Sequence, residues 1–155
     1  MDLNKPAQSF KIPVSALVVI HTPGLEVLLI ERASHAGYWQ SVTGSQEPGE
    51  SLLETALRET LEETGIEAPA GGLLDWQRQN VYEIYPVWRH RYAPGVTHNT
   101  EHVFSLQLNG RVPVRLREGE HTQSVWLAHD KAAALCFSWS NRDALLDLPN
   151  RVRGP

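Results

Sequence analysis

The chain has 155 residues, enough for one domain with its own core and too few for two ordinary ones. Hydrophobic residues make up 41% and charged residues 21%, a balance that excludes a disordered chain. The net charge of −4 excludes a global basic field, so nucleic acid is not an expected partner.

Cys136 is the single cysteine, which rules out an intramolecular disulfide, fits a reducing compartment and reads as a small buried apolar residue. Residues 1–6 lack the apolar stretch of a signal peptide, and the longest aliphatic run, Ala16 to Ile20, is far too short to span a bilayer. A cytoplasmic protein without a membrane partner is the resulting expectation.

Residues 12–21 and 26–31 are β-rich runs separated by Thr22-Pro23-Gly24, a hairpin signal. A helix is predicted next. Ser51 and Glu54 form a capping-box pattern, so it should start at Leu52, and Gly65 stands where a terminal glycine would end it. At roughly 100° per residue, Glu59, Glu62 and Glu63 share one side. Leu53, Leu57, Leu61 and Thr64 fall on the other, so the leucine side is expected to meet a sheet. Residues 80–88 read as a strand with Pro86 at an edge or bend, and residues 101–108 and 123–127 as further strands. Asp130 to Cys136 is Ala-rich and helical, and a cap-like start at Ser140 opens a last helix through Asp147. Strands on both sides of a central helix, with helices at the end, suggest a mixed sheet covered on both faces.

An acidic helix face taken alone is usually a solvated surface, here with an Arg58–Glu62 pair at i,i+4. However, Glu59 and Glu63 are like charges at the same spacing, which destabilises a bare helix, and only Arg58 is near enough in sequence to neutralise them. Such a cluster is expected to want a hard cation. Gly44, Glu50, Arg58-Glu59, Glu62-Glu63 and Gly65-Ile66 also match the Nudix box, Gly-x5-Glu-x7-Arg-Glu-U-x-Glu-Glu-x-Gly-U with U aliphatic. Thr60 departs from it by standing at the first aliphatic position, where a slightly weaker core contact at the edge of the leucine side is expected.

The chain therefore resembles the Nudix hydrolases. The resemblance implies one α/β domain over 1–155, an α/β/α sandwich with a mixed β-sheet, and Mg2+-dependent cleavage of a pyrophosphate bond in a small-molecule triphosphate. It implies Glu59 and Glu63 as metal ligands, and Glu62 as a further ligand or a water-orienting group. Arg58 would hold the glutamates in place, with Glu50 or Glu54 as its partner. Of the two carboxylates in the turn at 117–121, Glu118 and Glu120, alignment favours Glu120 as ligand or general base.

Segments 13–15, 38–44, 89–101 and 138–142 resemble the branch of the family that removes pyrophosphate from a pterin triphosphate in folate synthesis. That alignment implies substrate contacts at Lys11, Arg32, Thr43, Tyr82, Glu83, Ile84, Tyr85 and Ser138. Lysine and arginine suit phosphates, hydroxyls suit polar edges, and tyrosine can stack on a flat bicyclic ring. Read without the family, Arg32 is a solvated strand end and Tyr82, Ile84 and Trp88 are one buried sheet face. Trp39 and Trp139 read as packing residues, and Arg89-His90-Arg91 as shaping the pocket or binding phosphate. His98 and His102 lie on a loop-to-strand segment, where i and i+4 do not converge on a zinc ion. A general (d)NTP pyrophosphatase would share the same metal site. A non-catalytic Nudix-fold module would be expected to carry a damaged box.

Overall fold

The computed structural model describes residues 9–152. The N-terminal segment read for a leader lies outside them. In chain order the elements are β1 (Val14–His21), β2 (Glu26–Arg32), β3 (Trp39–Gln40), β4 (Val42–Ser45), α1 (Leu52–Thr64), β5 (Leu73–Glu83), a 3-10 turn (Pro86–Arg91), β6 (His98–Gln107), β7 (His121–Ala128), α2 (His129–Leu135) and α3 (Trp139–Arg151).

The seven strands form one mixed sheet. Its backbone order is β3-β2-β1-β6-β5, with β4 also paired to β1 and β7 to β2. The β1–β6 ladder is parallel and runs from Val14↔Thr100 to His21↔Gln107, while the other ladders are antiparallel. β1 is apolar almost throughout, as a strand covered on both faces must be. Its Leu17 and Val19 pack with Ala144, Leu145 and Leu148 of α3 and Ala132 and Ala133 of α2. Ala16, Val18 and Ile20 pack the other way, with Ala56 of α1 and Ile66. The two cores make the expected α/β/α sandwich.

The helix ends are as read from the sequence. Ser51 Oγ accepts from Glu54 N, Ser51 N donates to the Glu54 carboxylate, and Gly65 takes φ 73° as its N–H closes on Leu61 O. The helix face is not. Leu53, Leu57 and Leu61 are 49%, 38% and 47% exposed, whereas Thr55, Ala56, Thr60, Glu63 and Thr64 are buried. The carboxylate side is the side against the sheet. Thr60, expected at the edge of the leucine side, is fully buried on this inner face. Small side chains at 55, 56 and 60 leave room for glutamates between helix and strand, so apolar periodicity points to the wrong face.

Two further expectations are corrected. The strand expected over 80–88 starts at Leu73 and ends at Glu83, and Pro86 opens the 3-10 turn instead of bending a strand. Ser138, not Ser140, caps α3 by accepting from Asn141 N, and the helix continues through Pro149 to Arg151. The short strands β3 and β4 carry no alternation long enough to be read from sequence.

The inverted helix face sets a mutational contrast. In urea unfolding, Leu145→Ala should cost about 2–5 kcal/mol, as for a fully buried leucine, and Leu57→Ala less than about 0.5 kcal/mol. Equal losses would mean that the leucine side of α1 is the packed one.

Candidate active site

α1 turns its carboxylates toward β4. Glu63 is 3% exposed and its Oε2 accepts from Thr43 N at 3.1 Å. Gly44 follows directly, and a Cβ there would overlap the Glu59 carboxylate, so the second box glutamate needs a glycine in the facing strand. Burial, then the charge of Glu59, holds the Glu63 carboxyl well above the usual carboxylate range. Burial also raises Glu59, against the pull of Arg58.

Arg58 fixes this acidic face. It donates to Glu50 from Nε at 2.7 Å and from Nη2 at 2.9 Å, to Glu59 from Nη1 at 2.7 Å, and to Ser45 O from Nη2 at 3.0 Å. Of the two partners expected for it, Glu50 is engaged and Glu54 is spent on the helix cap. The guanidinium, followed by the Thr55 hydroxyl and Glu47 N–H, lowers the Glu50 carboxyl to about 2 despite the opposing effect of desolvation. Glu62 is half-exposed and accepts from Arg58 at 3.3 Å and from Arg117 at 3.0 Å.

The start of β7 completes the cluster. The β2–β7 ladder slips at Arg32, which lies opposite His121, and Ala33 N donates to Glu120 O at 2.8 Å. This bulge re-aims the side chains at the strand start. Glu63, Glu120 and His121 each offer one ligand atom, all within 4.8 Å of one another, and His121 Nε2 is 3.7 Å from Glu63 Oε1. Among the described residues Glu63 has no Lys or Arg within ion-pair distance. Two carboxylates and an imidazole around a buried charge without a counter-ion fit a divalent cation. Glu59 lies outside this trio, engaged by Arg58, yet its charge raises Glu63 and it is itself raised by the charge of Glu120. Glu118 is exposed in the turn and is not part of the trio.

Two adjoining cavities meet here. One is lined by Glu59, Glu63, Glu120 and His121, and the other by all eight residues expected to touch substrate: Lys11, Arg32, Thr43, Tyr82, Glu83, Ile84, Tyr85 and Ser138. Lys11, Arg32, Thr43, Gly44, Ser45, Trp88 and Arg91 line both. Lys11 is held by its N–H to Arg91 O, and its ammonium pKa is lowered by burial and then by the charges of Arg91 and Arg32. Arg32 lies 4.7 Å over the Trp88 ring and donates to Gln40 Oε1 at 3.2 Å, with its Nε unpartnered. Neither cation has a carboxylate within ion-pair distance among the described residues. Each is thus free to meet anionic oxygen.

The second cavity is aromatic at its rim. Tyr85, Trp88 and Phe137 have ring centroids 5.3–6.2 Å apart. Ile84 is buried beneath, and Glu83 is an exposed rim residue tied to Arg89. Tyr82 is mostly buried, and its hydroxyl accepts from Asn99 Nδ2 at 3.0 Å. Ser138 stands at the N-cap of α3, which Asn141 fastens to the sheet through Ser41 N at 2.8 Å and Ser41 Oγ at 3.0 Å. Trp139 is exposed at the same cavity, while Trp39 packs against the α2/α3 core. Sequence reasoning missed His121, Asn99 and Glu101. A histidine directly after the favoured Glu120 was the available signal for the first. Polar residues inside an otherwise apolar strand were the signal for the others.

A glycine loop feeding an acidic helix, in an α/β/α sandwich with unpaired cations beside the carboxylates, defines a domain built to bind phosphorylated small molecules on a divalent cation. The NUDIX domain family matches residues 11–148, and the chain belongs to that family. It is 45% identical over 139 residues to the dihydroneopterin triphosphate diphosphatase of Escherichia coli K12, covering 88% of this chain and 91% of that one. Identity to the Haemophilus influenzae protein of the same name is 34% over 140 residues, covering 88% and 87%. The solved structure of the E. coli dihydroneopterin triphosphate pyrophosphohydrolase superposes with a TM-score of 0.86 at 42% identity, over 94% of this chain and all of that one. A Caenorhabditis elegans Ap4A hydrolase shares the fold, with a TM-score of 0.70 at 21% identity over 90% of this chain and 97% of that one. No helix among the described residues is long and apolar enough to cross a membrane.

Buried carboxylates give the cation-free protein a defined pH response. Burial raises Glu101 from 4.5 to about 7, and Ser140 and Asn80 only partly offset it. The folded state therefore holds this proton more tightly than the unfolded chain. The contribution to stability is complete below about pH 4.5 and is lost as pH rises through about 7. Glu59 and Glu63 act in the same direction. With chelator present, urea midpoints should fall from pH 5 to pH 8, and fall less in Glu101→Gln.

Proposed function

We propose that the chain is a Mg2+-dependent pyrophosphohydrolase that converts 7,8-dihydroneopterin triphosphate to the monophosphate and pyrophosphate. The observation that carries this reading is the continuity of the two cavities, with Lys11 and Arg32 at their junction and neither engaged by a carboxylate. A triphosphate ester of a flat ring has that shape, with a ring at one end and dense negative charge at the other. The two bacterial relatives described above carry the same activity in their names.

The ring would enter between Tyr85, Trp88 and Phe137, whose faces suit a flat bicycle. Lys11 and Arg32 would meet the phosphates at the junction, and Arg91 lies beside them. Glu59, Glu63 and Glu120 would hold Mg2+, with His121 as their neighbour. Magnesium, when bound, supplies neutralisation of phosphate charge as a Lewis acid. Arg58 positions Glu59, and Glu62 orients water while fixed by Arg58 and Arg117. The oxygen of water adds to phosphorus at the bond between the α and β phosphates. The bridging P–O bond breaks, pyrophosphate leaves, and Glu120 is the group assigned to take the proton from water.

Two expectations follow. Glu63→Gln and Glu120→Gln should each lower kcat on the order of a hundredfold or more, while the urea midpoint of Glu63→Gln stays at or above that of the parent at pH 8. Turnover near the parent rate in either variant would remove that residue from the assignment. Pyrophosphate release from dihydroneopterin triphosphate and from the four dNTPs, compared side by side with Mg2+, should favour the pterin in kcat/KM. Preference for a dNTP would instead indicate a general nucleotide pyrophosphatase on the same metal site.

A further inference from the structure

The aromatic cavity has a polar floor that the reaction does not use. Glu101 on β6 is 4% exposed, lies opposite Ser15 of β1 and Asn80 of β5, and lines the cavity. Its Oε1 has no hydrogen-bond partner. Two residues earlier on the same face, Asn99 is 1% exposed and its amide is oriented by its neighbours. Asn99 Nδ2 donates to Ser15 Oγ at 2.8 Å and to Tyr82 Oη at 3.0 Å, which leaves Oδ1, on a residue lining the cavity, without a partner. No Lys or Arg lies within ion-pair distance of Glu101 among the described residues, and it is not one of the Glu63–Glu120–His121 trio.

A buried carboxylate oxygen without a donor is costly, and so is a buried amide oxygen. Two such atoms on one strand are acceptors in want of donors, with the Ser140 hydroxyl and the Asn80 amide beside Glu101. The complementary ligand edge carries adjacent N–H donors. A 2-amino-4-oxo pyrimidine ring has this edge, with a ring N–H beside an exocyclic amino group. Dihydropterin and guanine share it. Adenine and cytosine present a ring acceptor beside their amino group, and thymine a single N–H between two carbonyls.

We propose that Glu101, with Asn99 Oδ1 beside it, is the ring-reading subsite and selects substrates by a 2-amino-lactam edge. This rests on the reading that a pterin triphosphate enters the aromatic cavity. It adds a specificity-determining residue remote from the carboxylates that would hold the cation. Glu101 accepts from the ring N–H and the amino group together, and the aromatic rim fixes the plane in which they lie.

dGTP and dITP differ only in the 2-amino group, so their inhibition constants as competitors of dihydroneopterin triphosphate hydrolysis read the subsite directly. At pH 8, where Glu101 is mainly ionised, the parent protein should bind dGTP about tenfold to a hundredfold more tightly than dITP. In Glu101→Gln the two constants should come within about threefold of each other. The same variant should lose kcat/KM for dihydroneopterin triphosphate through KM and leave dATP within about threefold of the parent. Equal inhibition of the parent by dGTP and dITP overturns the proposal, as does a preference that survives in Glu101→Gln. A uniform loss on every substrate also overturns it, since that is a structural effect. If Glu101→Gln does not fold, Glu101→Asp serves instead. It keeps the acceptors but draws them back by one methylene, so an unchanged dGTP/dITP ratio there counts against the proposal. A parent with no preference for the pterin over dNTPs refutes the substrate reading itself. A parent with that preference but with the ratio unmoved in the variant refutes only the role of Glu101.

Discussion

One guanidinium ties together the parts of the chain that must stand still. Arg58 donates to the Glu50 carboxylate at two atoms, to Glu59, and to the backbone carbonyl of Ser45. The glycine loop, the end of β4 and the inner face of α1 are thus referred to one side chain. A half-buried Arg–carboxylate pair with bidentate geometry is worth more than a surface ion pair, because its donors are already arranged to match both oxygens. The arrangement also solves an electrostatic problem. Glu59 and Glu63 repel on adjacent turns and are both largely desolvated, so each has its carboxyl raised. Arg58 compensates one of them and leaves the other exposed to the field of its neighbours, the place at which the proposed cation would bind.

That requirement explains the inverted helix. An amphipathic helix ordinarily buries its leucines. Here the inner face carries Thr55, Ala56, Glu59, Thr60 and Glu63, and the leucines at 53, 57 and 61 face outward. Burying carboxylates has a desolvation cost that a leucine would not incur. In return the acidic groups are held against Thr43 N and Gly44 instead of moving freely in water. The helix is anchored by the cap at Ser51, the clamp at Arg58 and Ala56 in the core, more than by a leucine seam.

The parts of this design legible in the sequence are those enforced by local chemistry. The capping box, the terminal Gly65 and the box glutamates each depend on a few neighbours in the chain, and spacing reveals them. The helix face could not be read in the same way, because which side meets the sheet depends on β4, a four-residue strand with no periodic signal. The Ser140 cap was misplaced for a related reason. Ser138 and Ser140 are both plausible caps by type, and the choice was made by Asn141, whose side chain is committed to Ser41 a hundred residues away. His121 reached the carboxylates only through the slip between β2 and β7 at Arg32, a three-dimensional register event with no counterpart in composition.

β6 carries the last step from fold to site. Phe104 and Leu106 face the α1 core, and Val103 faces the α2/α3 core. Continuing the alternation backward from Val103 brings Glu101 and Asn99 onto the α2/α3 side, beyond the reach of the apolar contacts. The strand needs no new geometry to become a binding wall. It exchanges apolar for polar side chains at the same register and relies on β1 and β5 to hold them. Ser15 and Tyr82 then engage one end of the Asn99 amide and leave its other end without a partner. β6 is an interior strand, hydrogen-bonded to β1 on one side and to β5 on the other. Acceptors mounted on it keep their positions whether or not a ring is present, so part of the ordering cost of recognition is met when the protein folds.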